Sequence, residues 1–343
     1  ATAGLALLAD VALRPTFPEK EFERLRGNYR GRQKQEAVQP QAQAMNEFQR
    51  RCFGAAHPYA QPASGVGTRQ SLDALTRQDL VTFHGSWFVP ANAAVVVVGD
   101  LTLAEATAAV SRVLGNWRNA STPKRVPLPE TGYQGPRLVV IDRPGAQQSQ
   151  IMGGYVGMPR GDVDFPGFEV LNSAFGGQFA SRINLNLRED KGYTYGVRSQ
   201  LAAYRQAGVF LMSAPVQTNA TAASISELLA EMRQARGDRP VAGDELADSK
   251  GRLVQGFPQR FETFGGTARQ LADLLVAGLP VDDWQSYVGR IQALGEADLA
   301  AVVARHLDPE RVVWVIVGDW SAIQDGLRGL ELGEIEVVGA PRS

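Results

Sequence analysis

The sequence predicts an α+β protein made of two related halves, and two observations carry that prediction. The first is an internal repeat. Ala74-Leu75, Asp79-Leu80, Pro90, Val95 to Val98 and Gly99-Asp100 recur as Ala293-Leu294, Asp298-Leu299, Pro309, Val315-Ile316-Val317 and Gly318-Asp319, at a constant offset of 219 residues. The second is element order: strands, then a run of helices, then a closing strand, rather than the alternation of a βαβ sheet. A looser match pairs Leu8-Ala9-Asp10 with Leu229-Ala230-Glu231, and Pro18 with Pro240. Residue 1 thus aligns near residue 222, and residues 137–221 have no counterpart in the first copy. The expected organisation is a truncated first repeat over 1–118, a linker over 119–136 and a complete second repeat over 137–330.

Taken in order, Leu5, Leu8, Ala12 and Leu13 recur at helical spacing. Thr16-Phe17-Pro18-Glu19 reads as a capping box opening a second helix, whose pattern fades before Pro40. A loop around His57-Pro58-Tyr59 to Gly67 follows, and Thr76 with Asp79 caps another helix. That helix leads into the apolar run Ala93 to Val98, which has the length and β-branching of a buried strand. A short helix over about Leu103 to Leu114 closes this half. Four prolines, Pro123, Pro127, Pro129 and Pro136, mark the linker. Beyond it, Arg137 to Asp142 and Gln150 to Val156 read as strands, Phe165 to Phe175 as a helix, and Tyr193–Ala203 with Gly208–Ala214 as a hairpin. Asn219 to His306 is helical almost throughout, and Val312 to Val317 is expected to be the last strand.

Composition narrows the function. With 44% hydrophobic residues in 343 the chain can bury two sizeable cores. A net charge of −1 supplies no basic field for nucleic acid or anionic lipid, and no apolar run approaches a membrane span. The single cysteine, Cys52, has no internal partner for a disulfide.

One constellation carries chemistry. Gly176-Gly177-Gln178-Phe179-Ala180-Ser181-Arg182, followed by Leu187-Arg188-Glu189-Asp190-Lys191-Gly192-Tyr193-Thr194-Tyr195-Gly196, resembles the pitrilysin-type (M16) zinc metallopeptidases. The paired strand endings before Asp100 and Asp319, the Phe17-Pro18 helix start and the His57-Pro58-Tyr59 loop agree with it. The resemblance implies a processing-peptidase-like domain of two homologous α+β repeats, working as one half of a clamshell. Its partner would be a catalytic M16 domain, upstream in the same polypeptide or a separate subunit, with a peptide as substrate. The family's frequent bacterial form suggests a periplasmic or exported setting.

Family members that cut peptides hold zinc with an H-x-x-E-H helix and a distal glutamate. The three histidines here, His57, His84 and His306, form no such motif. The distal glutamate's position, counted forward from Phe17 or back from Pro40, falls on Arg32, a permanent cation with no lone pair for a metal. Leu25 stands where a further acidic residue is usual. The resemblance therefore implies a domain with no metal ligand of its own and zinc in the partner. What it implies positively is Arg188 and Tyr195, an arginine and a tyrosine that reach into the partner's active site. The arginine would grip substrate through its fork of donors, and the phenol would donate to an oxyanion. Two other readings stay open: a catalytic domain whose zinc motif lies outside this sequence, and a purely structural subunit like respiratory-complex core proteins.

Gly176 and Gly177 read either as a substrate-facing loop or as a helix stop that turns without Cβ strain. Tyr155, in a strand, is a candidate to present a sheet edge to an extended peptide. Gly153-Gly154 suggests close backbone approach or a bulge. The three histidines read as structural. Arg24, Arg26, Arg30 and Arg32 read as a solvated helix face, with lining of a peptide chamber as the alternative.

Overall fold

The computed structural model describes residues 2–119, 122–123, 127–132 and 135–339. Part of the expected linker, residues 120, 121, 124–126, 133 and 134, lies outside the described residues. The first stretch is helical: α1 (Thr2–Leu13), α2 (Glu19–Glu36), α3 (Pro40–Phe53), α4 (Arg69–Ala74), α5 (Arg77–Trp87) and α6 (Leu103–Leu114). After it come β1 (Leu138–Asp142), β2 (Gln148–Gly157), α7 (Phe165–Asn172), α8 (Arg182–Asn184), β3 (Arg198–Ala203) and β4 (Gly208–Gln217). The helical run is α9 (Thr221–Arg236), α10 (Gly243–Gly256), α11 (Phe264–Ala277), α12 (Asp283–Ala293) and α13 (Glu296–His306). The chain ends in β5 (Val313–Gly318), α14 (Trp320–Arg328) and β6 (Ile335–Gly339).

The six strands form one mixed sheet in the order β3-β4-β2-β5-β1-β6. β1 lies parallel to β5 and β6, and β2 lies antiparallel to β4 and β5. Residues alternate between two buried faces, as strand geometry requires. One face (Leu138, Val140, Phe210, Met212, Trp314, Ile316) packs against the helices that follow β2. The other (Val139, Ile141, Met152, Leu211, Val315, Val317) packs against Ala44, Phe48, Cys52 and Phe53 of α3. Burying a side chain such as Phe48 contributes about 1.5–3 kcal/mol. A helix from the first stretch therefore covers the sheet of the second. Gly153 and Gly154 show why β2 needs glycine. A Cβ on Gly153 would sit 2.2 Å from the Trp314 ring, and one on Gly154 would sit 1.9 Å from the Phe210 carbonyl and 3.0 Å from Phe48.

Four expectations are corrected. Ala93 to Val98 forms no strand: it is unpaired, with Val95 and Val97 exposed. An apolar run becomes a strand only when a neighbour takes its hydrogen bonds, and among the described residues none lies alongside. The capping box at Thr16 is not formed. Arg77 donates to the carbonyls of Phe17 and Thr16, and α2 begins after Pro18 with no side-chain cap. Val312–Val317 is not the last strand, because β6 adds to β1 beyond residue 330. Helix α3 was not anticipated; Pro40 opens it rather than only ending its predecessor. The hairpin stands, β3 with β4, and so does the Thr76–Asp79 capping box.

Candidate functional site

After α7 the chain makes a π-helical turn over Ser173–Gly177 and then an exposed loop, Gln178–Ala180. Gly176 is buried, against the expectation of an exposed, substrate-facing loop. A Cβ there would lie 2.4 Å from Ser199 Oγ and 2.5 Å from Ile183 Cδ1. On Gly177 it would lie 2.7 Å from Asn172 Nδ2. Neither glycine has positive φ, so close packing rather than a left-handed stop explains the pair. The exposed part of this loop is Phe179, at 65%.

Arg182, buried on α8, donates to Glu245 and to the carbonyls of Arg239 and Pro240, which anchors the loop to the start of α10. A second π-helical turn, Leu185–Asp190, carries Arg188. Its guanidinium lies 4.3 Å above the Phe179 ring, with Nη1 2.9 Å from Glu189 Oε1. The chain then returns alongside. Tyr193 N donates to Leu187 O at 2.9 Å, Gln217 N donates to Tyr193 O at 3.0 Å, and Thr194 bridges to Val216. Between that bridge and the Arg198–Ser213 pair, the β3 side holds one residue more than the β4 side. Such a bulge re-aims a side chain. Here it throws out Tyr195, which is 91% exposed while Gly196 N donates to Thr194 Oγ1 beside it. Arg188 and Tyr195 thus sit on adjacent, backbone-tied segments, one guanidinium and one solvent-facing phenol on a pinned platform.

Tyr155 sits elsewhere, and its strand offers no edge, because β2 has β4 on one side and β5 on the other. The side chain is 4% exposed; its hydroxyl donates to His306 O at 2.6 Å and accepts from Asp308 N at 3.1 Å. Burial pushes its pKa up, so it is a neutral packing residue.

Among the described residues none is placed to build a catalytic zinc centre. Buried His57 accepts from Tyr59 N at 3.0 Å and stacks on Phe53, and burial lowers its pKa. His84 Nε2 lies 2.7 Å from Ala12 O, and Arg32 is exposed on α2 with its guanidinium over Tyr29. Asp162, Asp164 and His306 converge, but Arg305 occupies both oxygens of Asp164 and His306 Nε2 lies 2.7 Å from one of them. Arg305 first, with help from His306, holds the Asp164 carboxyl below its ordinary range, as expected of an ion pair tying α13 to the start of α7. The arginines of α2 are matched too: Arg24 by Glu21, Arg26 by Glu23 and Arg30 by Asp73.

Reasoning from sequence missed Asn184. It is 4% exposed, with Nδ2 donating to Phe179 O at 2.7 Å and Oδ1 accepting from Val197 N at 3.0 Å. Its place between Arg182 and Arg188 was the available signal.

The family described as peptidase M16 inactive domain matches residues 74–253. An uncharacterized zinc protease of Mycobacterium leprae is 27% identical over 238 residues, covering 68% of this chain and 48% of that protein. A probable inactive metalloprotease of Bacillus subtilis is 22% identical over 244 residues, covering 68% of this chain and 54% of that protein. The chain thus spans about half the length of these curated relatives. Among solved structures, a peptidase M16 inactive domain from Pseudomonas fluorescens superposes with TM-score 0.83 at 24% identity, over 92% of this chain and 74% of that one. A protease from Helicobacter pylori gives 0.83 at 20%, over 92% and 76%. These likenesses show the fold; the family match, which covers more than half of the sequence, shows the relationship. The chain belongs to the peptidase M16 family, as one of its inactive domains.

Proposed function

We propose that this chain is the non-catalytic, substrate-binding half of an M16 zinc peptidase, lending Arg188 and Tyr195 to the zinc site of a catalytic partner domain. An inactive M16 domain implies such a partner, whether joined to it or separate. The observation that carries the reading is Tyr195: a phenol 91% exposed on a bulge whose backbone is tied to two neighbours. A fold gains nothing in stability by presenting a tyrosine this way. A partner's cleft gains a rigid hydrogen-bond donor.

The chemistry follows from the two groups. Arg188 offers a charge-assisted fork to a peptide carboxylate or carbonyl. The Glu189 carboxylate that now faces it is 51% exposed, and such a surface pair is worth only about 0–1 kcal/mol, so substrate can replace it at small cost. The Phe179 ring beneath holds the guanidinium plane, adding about 0.5–1 kcal/mol. Tyr195 donates to the scissile carbonyl oxygen as it gains charge; zinc and the attacking water belong to the partner. Arg32 and the engaged histidines count against this chain's being the catalytic half.

The test is turnover of the assembled peptidase with Arg188→Ala and Tyr195→Phe. Removing an oxyanion donor lowers kcat on the order of 10²-fold, and that is the expected result for Tyr195→Phe with melting temperature unchanged. Unchanged kcat/KM in both variants would refute the role and favour a purely structural subunit.

A further inference from the structure

We propose that Asn184 is a positioning residue, a buried amide clamp that fixes the Phe179 loop and the Tyr195 bulge in one register. This rests on the reading above and adds to it the element that sets the geometry of the site. Three facts converge. The side chain uses both ends of its amide, one on each loop. It is almost fully buried, so water does not compete for either bond. It also lies against the bulge itself, since a Cβ on Gly196 would come within 3.7 Å of Asn184 Oδ1. No other hydrogen bond among the described residues joins the Gly176–Ser181 loop to residues 193–197. The loops reach the rest of the domain through separate contacts, Arg182 with Glu245 and the start of α10 just after the first and Thr194 with β4 in the second. Arg188, stacked on Phe179, moves with the first loop, and Tyr195 belongs to the second. Together with the Tyr193 N–Leu187 O bond, this amide therefore sets the distance between guanidinium and phenol.

Asparagine suits the task because one planar group offers a donor to Phe179 O and an acceptor to Val197 N. Asn184→Asp keeps the acceptor but sets a carboxylate oxygen against the Phe179 carbonyl. It releases the first loop alone. Asn184→Ala releases both.

Two measurements test this. The first is amide hydrogen exchange on the full 343-residue chain, which needs no peptidase partner. In Asn184→Ala, exchange at Val197 and across Gln178–Ser181 is expected to speed up at least about 10-fold, while β1 and β5 keep their protection. In Asn184→Asp the gain is confined to Gln178–Ser181. Unchanged exchange at both loops in Asn184→Ala would overturn the clamp. The second is a double-mutant cycle in the assembled peptidase with a fluorogenic peptide. Misplacing the guanidinium is expected to lower kcat about 10-fold in Asn184→Asp with little change in KM, and to add almost nothing on top of Arg188→Ala. Effects that multiply would overturn the positioning role and indicate general destabilisation. Null results for both Arg188→Ala and Tyr195→Phe would refute the proposed function, and with it any catalytic meaning of the clamp. The exchange data would still decide whether the clamp exists.

Discussion

In the second copy of the internal repeat Leu299, Val302, Leu307, Trp314 and Ile316 are all at most 3% exposed. The aligned residues of the first copy behave otherwise: Phe83 is 56% exposed, Phe88 46%, Val95 45% and Val97 39%. Both copies keep the same local signals. Thr76 N donates to Asp79 at 2.7 Å where the first copy's helix begins, and Gly295 N donates to Asp298 at 2.9 Å in the second. Both place an apolar run before a Gly-Asp pair. Only the second run becomes a strand, because β1 and β2 flank it on either edge and α3 packs over it. Local chemistry starts and stops a helix, whereas a strand exists only by virtue of what lies beside it.

That comparison can be broken first at its largest contrast. Trp314→Ala empties a fully buried site and is expected to cost about 3–5 kcal/mol by denaturant titration, while the aligned Val95→Ala stays within about 0.5 kcal/mol. Comparable losses would mean that the first copy's run is buried in solution after all. Next comes Asp164, whose ion pair with Arg305 has no counterpart at the aligned Ser86. Its depressed pKa means the stabilisation is complete above the unfolded value near 3.8 and is lost as pH falls through the lower folded value. Asp164→Asn should cost about 1 kcal/mol at pH 7, allowing for the half-exposed arginine, and should flatten the decline of stability below about pH 4. An undiminished acid slope would assign it to other carboxylates. The smallest expected effect is at the shared cap: Thr76→Ala removes the hydroxyl partner of Asp79 N and should cost about 0.5–1 kcal/mol. A loss several times larger would show that α5 has tertiary support not visible in its exposed face.

How much was legible follows the same division. The hairpin of β3 and β4, the helical run and the cap at Thr76 are local patterns and were readable. β6 escaped because five residues, Ile335–Gly339, become a strand only beside β1, nearly two hundred positions earlier. Helix α3 was legible in principle: Ala44, Phe48 and Cys52 recur every four residues behind Pro40, and reading that proline only as a terminator hid them. In the site, Arg188 and Tyr195 came from motif resemblance, and the structure sets them on adjacent segments. Tyr155 failed because strand order, invisible in sequence, places β2 inside the sheet. Gly176 failed because type alone does not separate a glycine needed for φ from one needed for space. Asn184 is an ordinary residue type until both ends of its amide are seen to be occupied.

The most direct measurement of the central claim is photo-crosslinking from position 195. A photoreactive phenylalanine analogue would replace Tyr195 in the assembled peptidase, with a slowly cleaved peptide bound. The expected result is a crosslink to the peptide, abolished by excess unlabelled peptide and absent from a control probe at exposed Val163. Failure to label the peptide in an assembly that still binds it would contradict the claim that this domain reaches into its partner's active site.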